Sequence, residues 1–366
     1  MESEIASIKA KLKPTTTKVP IGFKGSDLSK EENLKIYQTY FDVGAQNWYP
    51  LFIDLTYPTI FLELSRDEAL SLINQNIIYK QNEKEYKFLP KESGLQSLLN
   101  SITEALQKAQ WKQAFVKLST RSPKDSTYIL SRGLKLLESK IIPRGNEKEN
   151  KNDFINKDLN FKLGVISQCI QDNFFIENGT QALEVLISSD RVFEDLQYAF
   201  SNEPQITYEK CGLNIVIREW TQPIPITQEF RGFIWEGSLN AIGQYYHSIY
   251  FPELQVGKEE IKEILNKFFL EKVKPRLNHE PLKCCIVDMA LINKDLVKLI
   301  EVNPFDGKAL ASLKGSTGLF DLDNIQDLKI VKEGPLELRI RDKPMLEKEL
   351  KMKLNVTWKE IMKGYI

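Results

Sequence analysis

Two neighbouring apolar segments, each carrying one acidic residue where a strand interior is normally hydrophobic, constrain the fold of this chain most. The acidic residues are Asp288 and Glu301. The residues between the segments favour a turn, so the pattern predicts an antiparallel hairpin closed by a four-residue loop, 293 to 296. This register places Asp288 directly opposite Glu301, and strand alternation places Asn303 on the same face as Glu301.

Such an arrangement of acidic side chains requires a positive partner. Like charges opposed across a strand pair are destabilising, and buried carboxylates cost several kcal/mol unless they are paired or bound to a cation. Two carboxylates and the amide oxygen of Asn303 favour a hard cation, and Mg²⁺ fits because it also takes water and nucleotide phosphates as ligands. The alternative is an ordinary solvated hairpin in which Asp288 and Glu301 each pair with a nearby Lys or Arg.

Composition narrows the class of protein. The chain has 366 residues, with 50 Lys and Arg against 50 Asp and Glu, so no net charge points to nucleic acid or to an anionic membrane. Its four cysteines form no CxxC pattern, and it has neither an N-terminal apolar run nor a segment of membrane-spanning length. We therefore expect a soluble, cytoplasmic protein. The two histidines, His247 and His279, are too isolated to favour a histidine metal site or a Ser-His-Asp triad.

The order of patterns along the chain predicts an α+β protein with two lobes. Residues 1–30 are polar and are expected to form a flexible N-terminal extension. Residues 31–366 are expected to form a single domain, with an N-terminal lobe at about 31–212 and a C-terminal lobe at about 213–366. Within the first lobe, residues 144–160 are rich in Lys, Asn, Asp and Glu, which is typical of an exposed, mobile insertion.

A lysine inside an apolar strand is the second informative feature. Lys117 lies in Ala114-Phe115-Val116-Lys117-Leu118, ahead of a loop rich in Ser, Thr, Arg and Pro. Its ammonium is suited to binding nucleotide phosphates as a compact point charge. The alternative is a lysine on an edge strand whose ammonium extends to solvent.

A strand interrupted by spaced prolines is the third feature. Arg218, Glu219 and Trp220 precede Pro223 and Pro225. Such a segment leaves main-chain groups unpaired, which suits hydrogen bonding to an adenine, although an ordinary edge strand fits equally well.

Two arginines near this segment are candidates for phosphate contacts. They are Arg218 and Arg231, and each follows an apolar strand residue. Arg231 could instead pair with Glu229, because the two residues share one strand face.

Seven motifs resemble, in the same order, those of the cell division cycle protein 123 family, a eukaryotic branch of the ATP-grasp fold. They span roughly residues 45 to 310. The motifs are Trp48-Tyr49-Pro50-Leu51-Phe52, Val116-Lys117-Leu118-Ser119, Ser122-Pro123-Lys124-Asp125, Ser188-Ser189-Asp190, Arg218-Glu219-Trp220 with Ile224-Pro225, Glu229-Phe230-Arg231-Gly232-Phe233, and Ile300-Glu301-Val302-Asn303-Pro304-Phe305.

The resemblance implies a fold, a ligand and a partner. The fold would be ATP-grasp-like, with two lobes whose antiparallel sheets enclose a nucleotide cleft. Family members bind ATP and Mg²⁺ and act as assembly chaperones for the heterotrimeric eukaryotic translation initiation factor 2, docking on its gamma subunit. By resemblance, the ligand-binding residues here would be Lys117 and Arg231 for phosphates, Glu219 and Trp220 for adenine, and Asp288, Glu301 and Asn303 for Mg²⁺.

Departures from the family pattern keep two other functions open. Glu301 stands where the family usually has aspartate, a form closer to ATP-grasp ligases, which activate a carboxylate as an acyl phosphate and couple it to an amine. The insertion also interrupts a segment that supplies the family with another basic residue, for which Arg132 and Lys135 are candidates here. A third possibility is a binding module with purely structural carboxylates.

Overall fold

A computed structural model describes residues 38–83, 85–141, 153–201, 210–305, 318–353 and 356–362. The predicted extension, 1–30, and residues 144–152 of the predicted insertion lie outside these ranges. At the end of the predicted insertion, Phe154 and Leu159 are buried, so this part packs on the core.

Strands form two separate sheets, with orders β1-β3-β2 and β7-β6-β4-β5-β8. The strands are β1 (Thr59–Ser65), β2 (Ala114–Leu118), β3 (Lys210–Glu219), β4 (Glu229–Trp235), β5 (Ser238–Gln244), β6 (Cys285–Asn293), β7 (Leu296–Pro304) and β8 (Glu337–Arg339). The pairs are antiparallel except β5 and β8, which are parallel.

Helices pack around the first sheet, and one helix packs on β4 and β5 of the second. They are α1 (Ala45–Trp48), α2 (Arg66–Gln81), α3 (Gln96–Ala109), α4 (Thr127–Ile141), α5 (Leu159–Gln171), α6 (Gly179–Ile187), α7 (Asp190–Ser201), α8 (Pro252–Val256), α9 (Lys258–Phe268), α10 (Glu280–Lys283), α11 (Ile325–Glu333), α12 (Glu347–Lys353) and α13 (Val356–Met362). Several begin at capping residues, as in α2, where Ser65 and Glu68 form a capping box, and α5, which Asp158 caps.

The first sheet is built on β3, its central strand. Ile215, Val216 and Ile217 in this strand are fully buried, as expected for β-branched residues covered on both faces. Because β3 pairs with both β1 and β2, the predicted lobe boundary at 212/213 falls inside this strand. The second sheet starts only at Glu229.

The second sheet is covered on both faces. By strand alternation, Phe230 and Met289 face the main core, whereas Phe233 packs on Phe305 and Phe320 in a smaller aromatic cluster. A two-residue turn joins β4 to β5, and both of its residues have positive φ, 48° at Glu236 and 74° at Gly237. Such a turn matches the twist of the strands it joins.

The acidic hairpin, β6–β7, has the predicted pairing at its acidic residues and a different loop. Asp288 lies directly opposite Glu301, as predicted. The predicted four-residue loop, 293 to 296, is wrong, because Asn293 pairs with Leu296 and only two residues form the turn. Next to the acidic pair the register shifts by one residue, because Ile300 is an extra residue on β7 and forms a bulge.

A loop from the N-terminal lobe covers the outer edge of β7. The backbone N–H of Leu299 donates to the carbonyl of Leu55 (2.8 Å), and the hydroxyl of Thr56 donates to the carbonyl of Leu299 (2.7 Å). Nearby, Arg276 pairs with Asp54. These contacts hold the two sheets against each other at one end of the cleft between them.

In the ranges described, the longest and most apolar helices still fall short of what crossing a bilayer requires. The architecture is a mixture of helices and mainly antiparallel sheets, as the sequence pattern predicted.

Candidate functional site

A row of charged side chains crosses the second sheet. Arg231, Asp288 and Glu301 lie opposite one another on β4, β6 and β7, which places them on one face. Arg231 binds Asp288 with two hydrogen bonds of 2.7 Å, and the amide of Asn303 donates to the same carboxylate at 3.2 Å. Arg231 therefore pairs across the strands with Asp288, and the side-chain amide of Gln171 donates to Glu229.

Lys117 connects the first sheet to this row. Its ammonium donates to the carboxylate of Glu301, and its side chain is only 3 % exposed, so it does not extend to solvent. Both acidic residues thus pair with cations, but Asp288, at 2 % exposure, is not part of a solvated hairpin. Burial opposes the charge of Glu301, yet Lys117 and Lys124 lower the pKa of its carboxyl to about 2.

Two further cations, which the sequence reasoning did not place in the site, lie beside this pair. Lys124 donates to the phenol oxygen of Tyr245, and its ammonium also lies 4.4 Å from the centre of that ring. Arg191, at the start of α7, is close enough to lower the pKa of both Lys117 and Glu301, although burial has the larger influence on each. Lys124 lies within one family-like motif, and Arg191 directly follows another, Ser188-Ser189-Asp190. These positions were the available signals.

A second buried carboxylate, Glu229, has the opposite shift. Burial and, to a smaller extent, the charge of Asp288 raise its pKa to about 7, against the opposing charge of Lys124. Gln171 donates to Glu229 and accepts from the hydroxyl of Tyr246 at 3.0 Å, which fixes the carboxyl in place. Glu229 can therefore change its charge near neutral pH.

Arg218 holds the two sheets together. It donates to the carbonyl of the bulged residue Ile300 at 2.6 Å and to the hydroxyl of Thr59 at 3.3 Å, and it lies over the ring of Trp48. Burial lowers the pKa of this guanidinium. Arg218, considered for a phosphate contact, thus bridges the two sheets, close to but not within the charged row.

A cavity of about 220 Å³ opens beside the end of β3. The N–H groups of Glu219 and Trp220, predicted to meet an adenine, already donate to the carbonyls of Pro58 and Gln113. The ring of Trp220 lies near Phe175 and does not line the cavity. The lining residues are Tyr57, Pro58, Glu219, Thr221, Gln222, Pro223, Ile224, Pro225, Gln228, Ile292, Leu296 and Lys298.

The main-chain groups suited to a planar base therefore lie after Trp220. In the described structure, no protein hydrogen bond engages the backbone of Thr221 or Gln222. The spaced prolines keep this segment out of either sheet, as the sequence suggested. The main-chain groups that are open to a ligand thus lie one or two residues beyond the expected positions, Glu219 and Trp220.

The basic residues considered as replacements, Arg132 and Lys135, are not part of the charged row. Arg132 lies 4.2 Å from the centre of the Phe175 ring and donates to the Phe175 carbonyl at 2.7 Å. Lys135 lies on the same helix, α4. Burial raises the pKa of the Glu301 carboxyl, and the basic side chains that lower it are Lys117, Lys124 and Arg191.

The side chains of the row are compatible with Mg²⁺ and a polyphosphate. Asp288, Glu301 and Asn303 provide hard oxygen donors, and a carboxylate bound twice by arginine still has free lone pairs. The described residues contain no group of three or more His, Cys, Asp or Glu with metal-binding geometry, so phosphate or water would complete the coordination.

An orphaned polar atom lies in the 119–125 loop that follows β2. The hydroxyl of Ser122 is buried and has no hydrogen-bond partner in the described structure. A buried polar group without a partner costs free energy, so a ligand acceptor at this loop would stabilise it.

Comparisons with known proteins give a consistent result. A family model described as D123 matches residues 170–357. The translation initiation factor eIF2 assembly protein of Xenopus tropicalis is 24% identical over 319 residues, 83% of this chain and 87% of that protein. The protein of the same name from Candida albicans is 24% identical over 351 residues, 89% of this chain and 88% of the relative.

A solved structure matches the fold. The structure of Cdc123 from Schizosaccharomyces pombe covers 84% of this chain and 98% of its own, with a TM-score of 0.54 and 18% sequence identity. At this identity the match shows the fold alone. It confirms the α+β, ATP-grasp-like fold class predicted from the sequence.

Proposed function

The chain belongs to the D123 family, the cell division cycle protein 123 family that its motifs resemble, and we propose that it is an assembly chaperone for eukaryotic translation initiation factor 2. In this proposal it binds ATP with Mg²⁺ and docks on the gamma subunit of that factor. The names of its relatives from two organisms support the assembly role. The geometry of the cleft supports the proposed binding of a nucleotide.

One observation carries the nucleotide proposal: cations of the N-terminal lobe face carboxylates on the second sheet. Lys117 on β2 pairs with Glu301 on β7, Lys124 in the loop after β2 lies near the same carboxylate, and β7 also lines the cavity through Leu296 and Lys298. A triphosphate needs cations, and its Mg²⁺ needs carboxylates. Few other small ligands require both in one cleft.

Each group has a defined task in this proposal. Lys117 and Lys124 would bind phosphate oxygens, and Asp288, Glu301 and Asn303 would hold Mg²⁺, which neutralises phosphate charge when bound. The backbone of Thr221 and Gln222 would orient the base in the cavity. Because these residues come from both lobes, a bound nucleotide would fix the angle between the lobes and so shape a surface for the partner.

The test is a pair of measurements on wild type and Glu301→Gln. At about a hundredfold excess over Kd, Mg-ATP stabilises by roughly 2.7 kcal/mol, which is about 3 to 4 °C in Tm for a chain of this length. We expect Glu301→Gln to lose more than half of this shift. We also expect tagged wild type, but not the variant, to capture the purified gamma subunit more strongly when Mg-ATP is present.

The control is Glu260→Gln. Glu260 is an exposed carboxylate on α9 that pairs with Lys294 in the turn of the β6–β7 hairpin. The variant should behave as wild type in both measurements. If Mg-ATP shifted the Tm of wild type and of Glu301→Gln equally, the assignment of Glu301 as a Mg²⁺ ligand would be wrong. Phosphate release that requires an added carboxylate and amine would instead support the ATP-grasp ligase.

A further inference from the structure

The ring of Tyr245 lies between one cation of each lobe. Tyr245 directly follows β5, and its hydroxyl oxygen accepts a hydrogen bond from the ammonium of Lys124, in the loop after β2. The same ammonium lies 4.4 Å from the centre of the ring, and the guanidinium of Arg231 lies 4.9 Å from it. Because Arg231 belongs to the charged row, the ring joins Lys124 to that row across the cleft.

Backbone and side-chain hydrogen bonds hold the loop that carries this ring, residues 245–250. The N–H of Tyr245 donates to the carbonyl of Glu229 at 2.9 Å. The side-chain amide of Gln244, which is buried, donates to the carbonyls of Tyr246 at 2.9 Å and Ile249 at 2.7 Å. The start of the loop is therefore fixed to the end of β5.

The other end of the loop is bound by a helix of the N-terminal lobe. Asn160 on α5 accepts the N–H of Tyr250 at 2.7 Å and donates to its carbonyl at 3.0 Å. With both ends bound, the loop offers little freedom to move the ring of Tyr245. The more adaptable partner is Lys124, because its ammonium sits on a flexible four-carbon side chain. Separation of the pair therefore requires movement of Lys124.

A phenol is a weaker partner for Lys124 than an anion. Within the described residues, Lys124 forms no ion pair, and its hydrogen bond goes to the neutral hydroxyl of Tyr245. That hydroxyl satisfies one N–H of the ammonium and leaves its charge uncompensated. Hydrogen bonds between two ionised groups are shorter and stronger, so a phosphate oxygen would take the place of the phenol.

A purely structural hydroxyl is the alternative, and the next residue shows what one looks like. The hydroxyl of Tyr246 donates to Gln171 at 3.0 Å, and Gln171 in turn donates to Glu229. Each partner in that chain is a protein group to which the proposed function gives no ligand. The hydroxyl of Tyr245 differs, because its donor is a lysine that the proposed function assigns to the nucleotide.

We propose that Tyr245 is an autoinhibitory latch: its hydroxyl occupies the ammonium of Lys124 in the nucleotide-free protein, and the nucleotide binds as Lys124 leaves the phenol. A contact that is present in the free protein and lost in the complex lowers the apparent affinity. Tyr245 thus keeps the affinity of the cleft below that of the same cleft without the hydroxyl. This inference rests on the proposed function.

The experiment is calorimetric titration of the full chain with Mg-ATP. Tyr245→Phe keeps the ring and removes the hydroxyl, so we expect the Kd to fall by about three- to tenfold, the scale of one net hydrogen bond. The control is Tyr86→Phe, which removes a tyrosine hydroxyl that donates to Gln75 on α2 at 2.9 Å. This control should leave the Kd unchanged.

A double-mutant cycle shows whether the hydroxyl acts through Lys124. Lys124→Met should weaken binding, and in that background Tyr245→Phe should no longer change the Kd. A Kd for Tyr245→Phe equal to or above that of wild type would overturn the latch, and so would the same fold-change in both backgrounds. Wild type that does not bind Mg-ATP would overturn the proposed function itself, and this inference with it.

Discussion

The two faces of the cleft differ in how their charges are balanced. On the second sheet, Asp288 is bound by Arg231 from the neighbouring strand, so this pair is complete within one sheet. On the first sheet, Lys117 pairs with Glu301 across the cleft, and within the described residues no carboxylate of its own lobe pairs with it. Pairs within a sheet stabilise the fold, whereas pairs across the cleft can be exchanged for a ligand that carries both signs of charge.

Removing the within-sheet carboxylate should have the largest effect on stability. Asp288→Asn leaves Arg231 buried beside a neutral amide, and loss of one partner from a buried pair costs about 3–5 kcal/mol. Urea unfolding should show this loss without any ligand. Asp54→Asn, which breaks the more exposed pair with Arg276, should cost less than about 1 kcal/mol. Similar losses for the two variants would contradict the distinction between the faces.

The second prediction concerns Glu229, a buried carboxylate of the second sheet that forms no ion pair within the described residues. Its pKa is raised from 4.5 to about 7, so its contribution to stability is complete below about pH 4.5 and is lost as the pH rises through 7. Glu229→Gln should nearly match wild type at pH 4 and exceed it at pH 8, by on the order of 3 kcal/mol. The measurement is the free energy of unfolding at the two pH values, and a constant difference between the proteins would refute the shift.

Among the three buried charges, Asp288, Glu229 and Lys117, the smallest expected effect on stability comes from the cross-cleft cation, Lys117. Lys117→Met leaves Glu301 near Lys124 and Arg191, so we expect a loss of only about 1–2 kcal/mol in unfolding free energy. The same variant should lose its stabilisation by Mg-ATP. The variant could instead lose as much unfolding free energy as Asp288→Asn and keep its stabilisation by Mg-ATP. That result would show that the Lys117–Glu301 pair stabilises the fold and does not bind the nucleotide.

Sequence reasoning succeeded where side chains alternate regularly. The acidic pair, Asp288 and Glu301, was placed correctly because their opposition follows from strand periodicity. The loop was not, because Asn293 and Leu296, which keep the register of the acidic pair, still pair with each other and leave a two-residue turn. The bulge at Ile300 was also missed, because the opposite shift at Ile292 cancels it and a bulge leaves no trace in the hydrophobic pattern. The same limit applies to the lobe boundary, since no local signal shows that β3 pairs with β1 and β2.

The site was only partly predictable for a related reason. Lys117 stood out as a charged residue in an apolar strand. Arg191 lies in the first turn of an ordinary amphipathic helix, whose position is set by backbone hydrogen bonds of Arg191 to Asp125 and Arg121, about 65 to 70 residues away in sequence. Long-range hydrogen bonds of this kind cannot be read from periodicity or composition. For the same reason, the sequence did not show that the N–H groups of Glu219 and Trp220 already donate to main-chain carbonyls.

The loop that covers β7 has a consequence for self-association. Exposed edge strands pair readily with strands of other molecules, and proteins often prevent this with charges, prolines or bulges on the strand itself. Here the middle of the edge is blocked by Leu55 and Thr56, which occupy the N–H and the carbonyl of Leu299. Resistance to aggregation at this edge therefore depends on a loop contributed by the other lobe, and anything that separates the lobes would uncover the strand.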